Sequence, residues 1–77
     1  MNEVWQDKIP PQDIEAEQAV LGAIFLDSDT LIDAMEIVTP RSFYRRSHQI
    51  IFQSMIQLSN RGEAIDLVTL KAEIEKS

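Results

Sequence analysis

The residues of this chain that could carry chemistry are few, and their spacing narrows what they can do. There is one histidine, His48. A general base needs a substrate proton within hydrogen-bond reach and a partner that orients the ring. His48 instead falls on the apolar side of a helical pattern, which predicts a buried or half-buried ring with one nitrogen satisfied. One histidine and no cysteine also exclude the paired-histidine and thiolate spacings of zinc sites. Asp27, Ser28, Asp29 and Asp33 resemble a calcium loop only superficially, because the central glycine and the closing glutamate are missing. Helix capping is the better reading of that cluster. A phosphate-cradling loop needs glycines close together, so that backbone N–H groups can approach the anion. The two glycines here, Gly22 and Gly62, lie forty residues apart. No catalytic, cofactor-binding or metal-binding residue is assigned from these patterns.

Charge is unevenly placed. The net charge is −6; residues 1–40 hold nine acids and one lysine, a balance of −8, and residues 41–77 hold six bases and four acids, a balance of +2. Duplex DNA carries roughly one negative charge per 1.7 Å of axis, so affinity for it rests on lysine and arginine. This chain has few of either, and its acidic half would repel the backbone, so direct nucleic-acid binding is not expected. Arg41, Arg45 and Arg46 form the one basic cluster. It has two readings. One is a contact for an acidic partner, including the acidic half of another copy. The preferred one is solvated charge around a helix N-terminus, where arginine opposes the dipole. Trp5 also has two readings, an unordered ring or an anchor docked on a neighbour.

The elements that position these residues read as helices. Residues 1–12 form an arm, stiffened where Pro10-Pro11 holds Ile9 extended. A first helix is predicted from Ile14 to about Leu26, capped by Asp13, with Glu15 and Glu17 where the dipole favours acids. Ile14, Leu21, Ile24 and Phe25 mark its inner face, and its C-terminal half is apolar nearly all round. That pattern predicts the central, most buried helix. Gly22 within it predicts a close helix crossing. A second helix is predicted over Thr30–Val38, with Leu31, Ala34, Met35 and Val38 inward and Pro40 as its stop. Asp27, Ser28 and Asp29 are equal candidates for its cap.

The third helix, about Arg45 to Arg61, carries the clearest periodicity, with Ile51, Phe52, Met55 and Leu58 on one side, extended upstream by Tyr44 and His48. Gly62 is predicted as its left-handed cap. A fourth helix follows Asp66, with Leu67, Leu70 and Ile74 inward, and it is still in helical register at Ser77, which suggests a piece of a longer chain. Ile14, Leu21, Ile24, Tyr44, Phe52 and Leu70 are assigned to the core. The expected fold is all-α: a small orthogonal bundle of about four helices with an extended N-terminal arm, residues 1–12 the arm and 13–77 the helical head. At 77 residues the chain is one domain at most and buries only about 60–65% of its unfolded surface. Its longest apolar run, Ala19–Leu26, is far below the roughly 18–20 residues of a membrane span, and residues 1–12 lack the order of a secretory signal. A cytoplasmic protein is expected.

Four blocks resemble a known family. Ile9-Pro10-Pro11-Gln12-Asp13-Ile14-Glu15-Ala16-Glu17-Gln18-Ala19-Val20-Leu21-Gly22 is similar to the opening of DnaB-type replicative DNA helicases. Ser42-Phe43-Tyr44-Arg45, His48-Gln49-Ile50-Ile51-Phe52 and Asp66-Leu67-Val68-Thr69-Leu70 continue the likeness in order. The resemblance implies the head of the N-terminal domain, which with a following helical hairpin builds the collar of a homohexamer. It implies a separate RecA-like motor domain that uses ATP and Mg, neither of which this segment would hold. It implies as partners other helicase subunits, the primase C-terminal domain and a helicase loader. Glu15, matched within the first block and expected to be exposed, is the one residue assigned to primase docking; simple dipole compensation is the competing role. The alternative functions are the helicase-binding domain of a primase, which has a similar helical fold, or a stand-alone helical adaptor. The Ile9–Gly22 block argues against the primase.

Overall fold

The computed structural model describes residues 13–76. The arm, with Pro10-Pro11 and Trp5, lies outside the described residues. Four helices follow: α1 Ile14–Leu26, α2 Thr30–Met35, α3 Arg46–Asn60 and α4 Leu67–Glu75, with a 3₁₀ turn, Pro40–Ser42, between α2 and α3. The architecture is all-α, and no strand occurs among the described residues. None of these helices is long and apolar enough to cross a membrane.

Local chemistry starts and stops each element. Asp13 opens α1 by accepting the Ala16 amide at 3.0 Å. The chain then extends at Asp27, whose carboxylate accepts the Asp29 amide at 3.1 Å. Of the three candidate caps before α2, Asp27 is therefore the one whose side chain takes a backbone N–H. The second helix ends at Met35, three residues earlier than expected. Both Ile37 and Val38 return their amides to the Ala34 carbonyl, and Thr39 is extended, as a residue before proline prefers. Pro40 does more than stop that helix: it occupies the first position of the 3₁₀ turn, where a missing N–H costs nothing. Thr39 and Ser42 close the turn, the Thr39 amide donating to Ser42 Oγ at 3.0 Å.

The C-terminal end of α3 is a complete left-handed cap. Glu63 donates its amide to the Leu58 carbonyl at 2.9 Å and Gly62 to the Ser59 carbonyl at 3.0 Å, with Gly62 at φ +72°. Asp66 then starts α4 reciprocally with Thr69: each side-chain oxygen accepts the other's amide, at 2.9 and 3.0 Å.

Contrary to the apolar pattern of α1, the central helix is α3. It packs against α1, α4 and the 3₁₀ turn, and buries His48, Phe52, Ser54, Met55 and Leu58. On α1, Leu21 and Ile24 are buried, while Leu26 is 88% exposed and Ala19, Gly22 and Ala23 face outward. Only one side of α1 meets other helices, so its small outward residues add apolarity without burial. Among the described residues no helix crosses at Gly22, and none of their atoms lies within 4 Å of where a Cβ would stand. Phe52, Ile24, Leu31, Met55 and Leu58 are almost fully buried, each contributing about 1.5–3 kcal/mol. Phe43 packs against Phe52 with ring centroids 5.0 Å apart and the planes tilted by 40°.

Of the assigned core residues, Leu21, Ile24 and Phe52 are buried, and Ile14 and Leu70 are half-buried. Tyr44 is 60% exposed and is not core. The backbone is extended at Phe43, where successive side chains alternate sides, so an inward Phe43 turns Tyr44 outward. Met35 and Leu67 are exposed too. Val38 fills the inward place below α2, and Ile65 packs on the core just upstream of Leu67.

Candidate functional site

Glu17 is the centre of a buried polar constellation. Helical geometry turns residues 15 and 17 about 200° apart, so one of the two acids in the first turns of α1 faces out and the other in. Glu15 is exposed, as expected; Glu17 is only 7% exposed. Its carboxylate reaches the start of α3 and accepts the Tyr44 amide at 2.5 Å, the Arg45 amide at 3.4 Å and the His48 ring at 2.7 Å. An ionised carboxylate only accepts, so His48 Nδ1 carries the proton in this contact.

Arg45, at the N-cap position of α3, makes no side-chain cap of its own. Glu17, from another helix, accepts the amides of Arg45 itself and of Tyr44 before it, and so anchors the approach to α3. It also places negative charge at the positive end of the α3 dipole, where Arg41, Arg45 and Arg46 add unfavourable positive charge. Burial pushes the Glu17 carboxyl up, but the Tyr44 amide, the His48 ring and the Arg45 amide together hold it below its ordinary value of 4.5. The ring of His48 lies edge-on to Phe43 at 6.5 Å. With Nδ1 engaged and the side chain 8% exposed, His48 is the buried ring with one satisfied nitrogen that its place in the sequence predicts.

A second acid does related work at the other end of α3. Glu73, 5% exposed, takes two guanidinium nitrogens of Arg61, at 2.5 and 3.3 Å. The Arg61 hydrogen bonds, opposed by burial, hold the Glu73 carboxyl below 4.5; Glu73 and Glu63 in turn raise the guanidinium. Arg61 sits at the C-cap of α3, where the dipole favours a cation.

Neither acid was identified from the sequence as a buried group. The first-turn position of Glu17 predicts dipole compensation, yet Ile14, Glu17, Leu21 and Ile24 share one face at spacings of three and four. An acid in register with an apolar stripe was the available signal.

These groups hold helices together. Among the described residues, no buried side-chain polar atom lacks a partner. Of the glycines, Gly22 lies in mid-helix and Gly62 forms the cap of α3. They do not converge, so these residues do not fit the phosphates of a nucleotide. Glu15 and the arginine cluster remain on the surface, and no bond joins Glu15 to the buried constellation.

A family model described as DnaB-like helicase N terminal domain matches residues 9–77. The replicative DNA helicase DnaB of Geobacillus stearothermophilus is 54% identical over 77 residues, all of this chain and 17% of that protein. The replicative DNA helicase DnaC of Bacillus subtilis (strain 168) is 53% identical over 74 residues, 96% of this chain and 16% of that protein. The chain therefore spans about a sixth of the length of these relatives. Among solved structures, the N-terminal domain of DnaB helicase from Mycobacterium tuberculosis superposes with a TM-score of 0.81 at 43% identity, covering 87% of this chain and 46% of that one. Sequence and fold agree across nearly the whole chain, which belongs to the DnaB-like helicase N-terminal domain family.

Proposed function

We propose that this domain is a protein-interaction module of a replicative DNA helicase, contributing to the collar of a homohexamer and receiving the primase C-terminal domain, with a helicase loader as a further partner. ATP and Mg belong, on this reading, to a motor domain elsewhere in the whole protein. The observation that carries the reading is the match of residues 9–77 to the helicase N-terminal domain, alongside relatives named as replicative helicases. Glu15 is the docking residue. It is exposed on the first turn of α1, whereas Glu17, two residues on, is occupied internally.

Calorimetric titration of the chain with a primase C-terminal domain tests this role. Glu15→Ala is expected to weaken binding while leaving the melting temperature nearly unchanged. If binding is unaltered and only stability falls, by the roughly 0.3–1 kcal/mol of a dipole interaction, Glu15 is a helix-terminus charge and the docking role fails.

A further inference from the structure

An open groove of about 780 Å³ lies between the 3₁₀ turn, α3 and α4. Arg41, Arg46, Gln49 and Gln53 supply its polar lining, and the half-buried Ile50 and Ile74 its apolar lining. Among the described residues, the guanidinium groups of Arg41 and Arg46 have no acidic partner. Arg46 is steadied by Gln49, Nη1 to Oε1 at 3.1 Å. The size suits a few side chains of a peptide rather than one small ion. Such a groove asks for an apolar side chain flanked by acids.

The chain carries that combination in its own arm. In extended backbone, alternate side chains share a side, which groups Glu3, Trp5, Asp7 and Ile9 and sends Lys8 to the other side. Ile9 is held extended by the proline after it. Helical geometry places Arg46 and Ile50 about 200° from His48, the residue that meets α1 through Glu17. The groove therefore opens on the far side of α3, and the arm reaches it by rounding the N-terminal end of that helix. The length suffices. Glu17 ties the first turns of α1 to the Tyr44 and Arg45 amides, so the arm enters beside that end. Trp5 precedes Asp13 by eight residues, about 26–29 Å when extended, against a helix diameter of roughly 10–12 Å. Tethering holds the arm at an effective concentration of about millimolar, so a contact between exposed charges is enough.

We propose that the arm of this chain lies in its own α3 groove, Trp5 on Ile50 and Ile74, and Glu3 and Asp7 toward Arg41 and Arg46. The arm then competes with any acidic segment offered to the groove. Glu15 does not line the groove, so this inference and the docking reading can fail separately.

Trp5 is the only tryptophan, so its fluorescence in the 77-residue chain reports on the arm alone. Relative to the urea-unfolded chain, its emission should be blue-shifted and its quenching by acrylamide reduced, equally at every dilution. Protection should fall as salt rises from ~0.05 to ~0.5 M, because the pairs are exposed. Arg41→Glu with Arg46→Glu should move the emission to the unfolded-chain maximum and abolish the protection, with helical circular dichroism unchanged. Glu3→Arg with Asp7→Arg should do the same, and the four substitutions together should restore protection. Should the reversal at Arg41 and Arg46 unfold the domain, Glu3→Gln with Asp7→Gln, both before α1, carries the test alone. A Trp5 exposed in the wild type, protection that survives the arm variants, or a folded fourfold variant with Trp5 still exposed would each overturn the proposal. So would protection lost on dilution, which would seat the arm on a second copy.

Discussion

The two ends of α3 are held by equally buried acids from different helices, and the contrast between them shows how the partner decides what a buried charge does. At the N-terminal end, Glu17 of α1, itself 7% exposed, faces two backbone amides and a buried histidine ring. At the C-terminal end, Glu73 of α4 faces Arg61, whose side chain is 40% exposed. The first acid satisfies backbone donors that have no other described acceptor. The second joins a cation that water already stabilises, while the helix end itself is closed by backbone bonds around Gly62. Similar charges therefore do unequal work. Removing Glu17 should strand donors, and removing Glu73 should chiefly return an arginine to solvent.

The largest effect is expected from Glu17→Ala. Stranding the Tyr44 and Arg45 amides and the His48 ring should cost about 2–4 kcal/mol, read as a fall in the denaturation midpoint. For a domain of this size that is a large share of total stability. A loss comparable to an exposed acid's would erase the contrast.

Next comes Gly62→Ala. Holding a Cβ at φ +72° should cost about 1–2 kcal/mol, so at this end of α3 the backbone turn should matter more than the ion pair beside it. Gly22→Ala should have the opposite sign. With open space around the site and a helical backbone, alanine should stabilise by about 0.5–1 kcal/mol in thermal melts. The smallest effect is expected from Glu73→Ala, which returns the 40% exposed Arg61 to solvent, and it should shrink further in about 1 M salt, where the Debye length is near 3 Å. The Glu17→Ala cost should persist there. Equal salt sensitivity at the two ends would contradict the difference in solvation.

Acid should reveal the same contrast. Both carboxyls are held below 4.5 in the folded state, so each contributes stability that is complete above that ordinary value. The contribution is lost as pH falls from there through the lower, folded value. The stability gap between the wild type and Glu17→Gln should therefore narrow below about pH 4.5. A gap that widened on acidification would mean that burial prevails over the three donors.

Much of the fold was legible because helix boundaries follow local chemistry. Asp13, Asp66 and Gly62 act as their residue types and spacing predicted, and the periodicity of α3 named Phe52, Met55 and Leu58 correctly. What stayed hidden depends on neighbours. The apolarity of α1 did not reveal that only one of its sides is covered, and Tyr44 looked like core until Phe43 took the inward position. The docking assignment at Glu15 rested on resemblance, and its exposure was the structural part of that reading. The Glu17 clamp spans about thirty residues of sequence, a separation at which helical periodicity marks a face but does not pair it with another.

The most direct measurement is an NMR pH titration of the Glu17 side-chain carboxyl carbon, with hydrogen exchange of the Tyr44 amide followed in the same samples. The carboxyl should titrate below 4.5, and the Tyr44 amide should be protected until that titration occurs and exchange freely after it. A Glu17 carboxyl titrating at or above 4.5, with a Tyr44 amide exchanging as in an unfolded chain at neutral pH, would show that α1 does not anchor the start of α3.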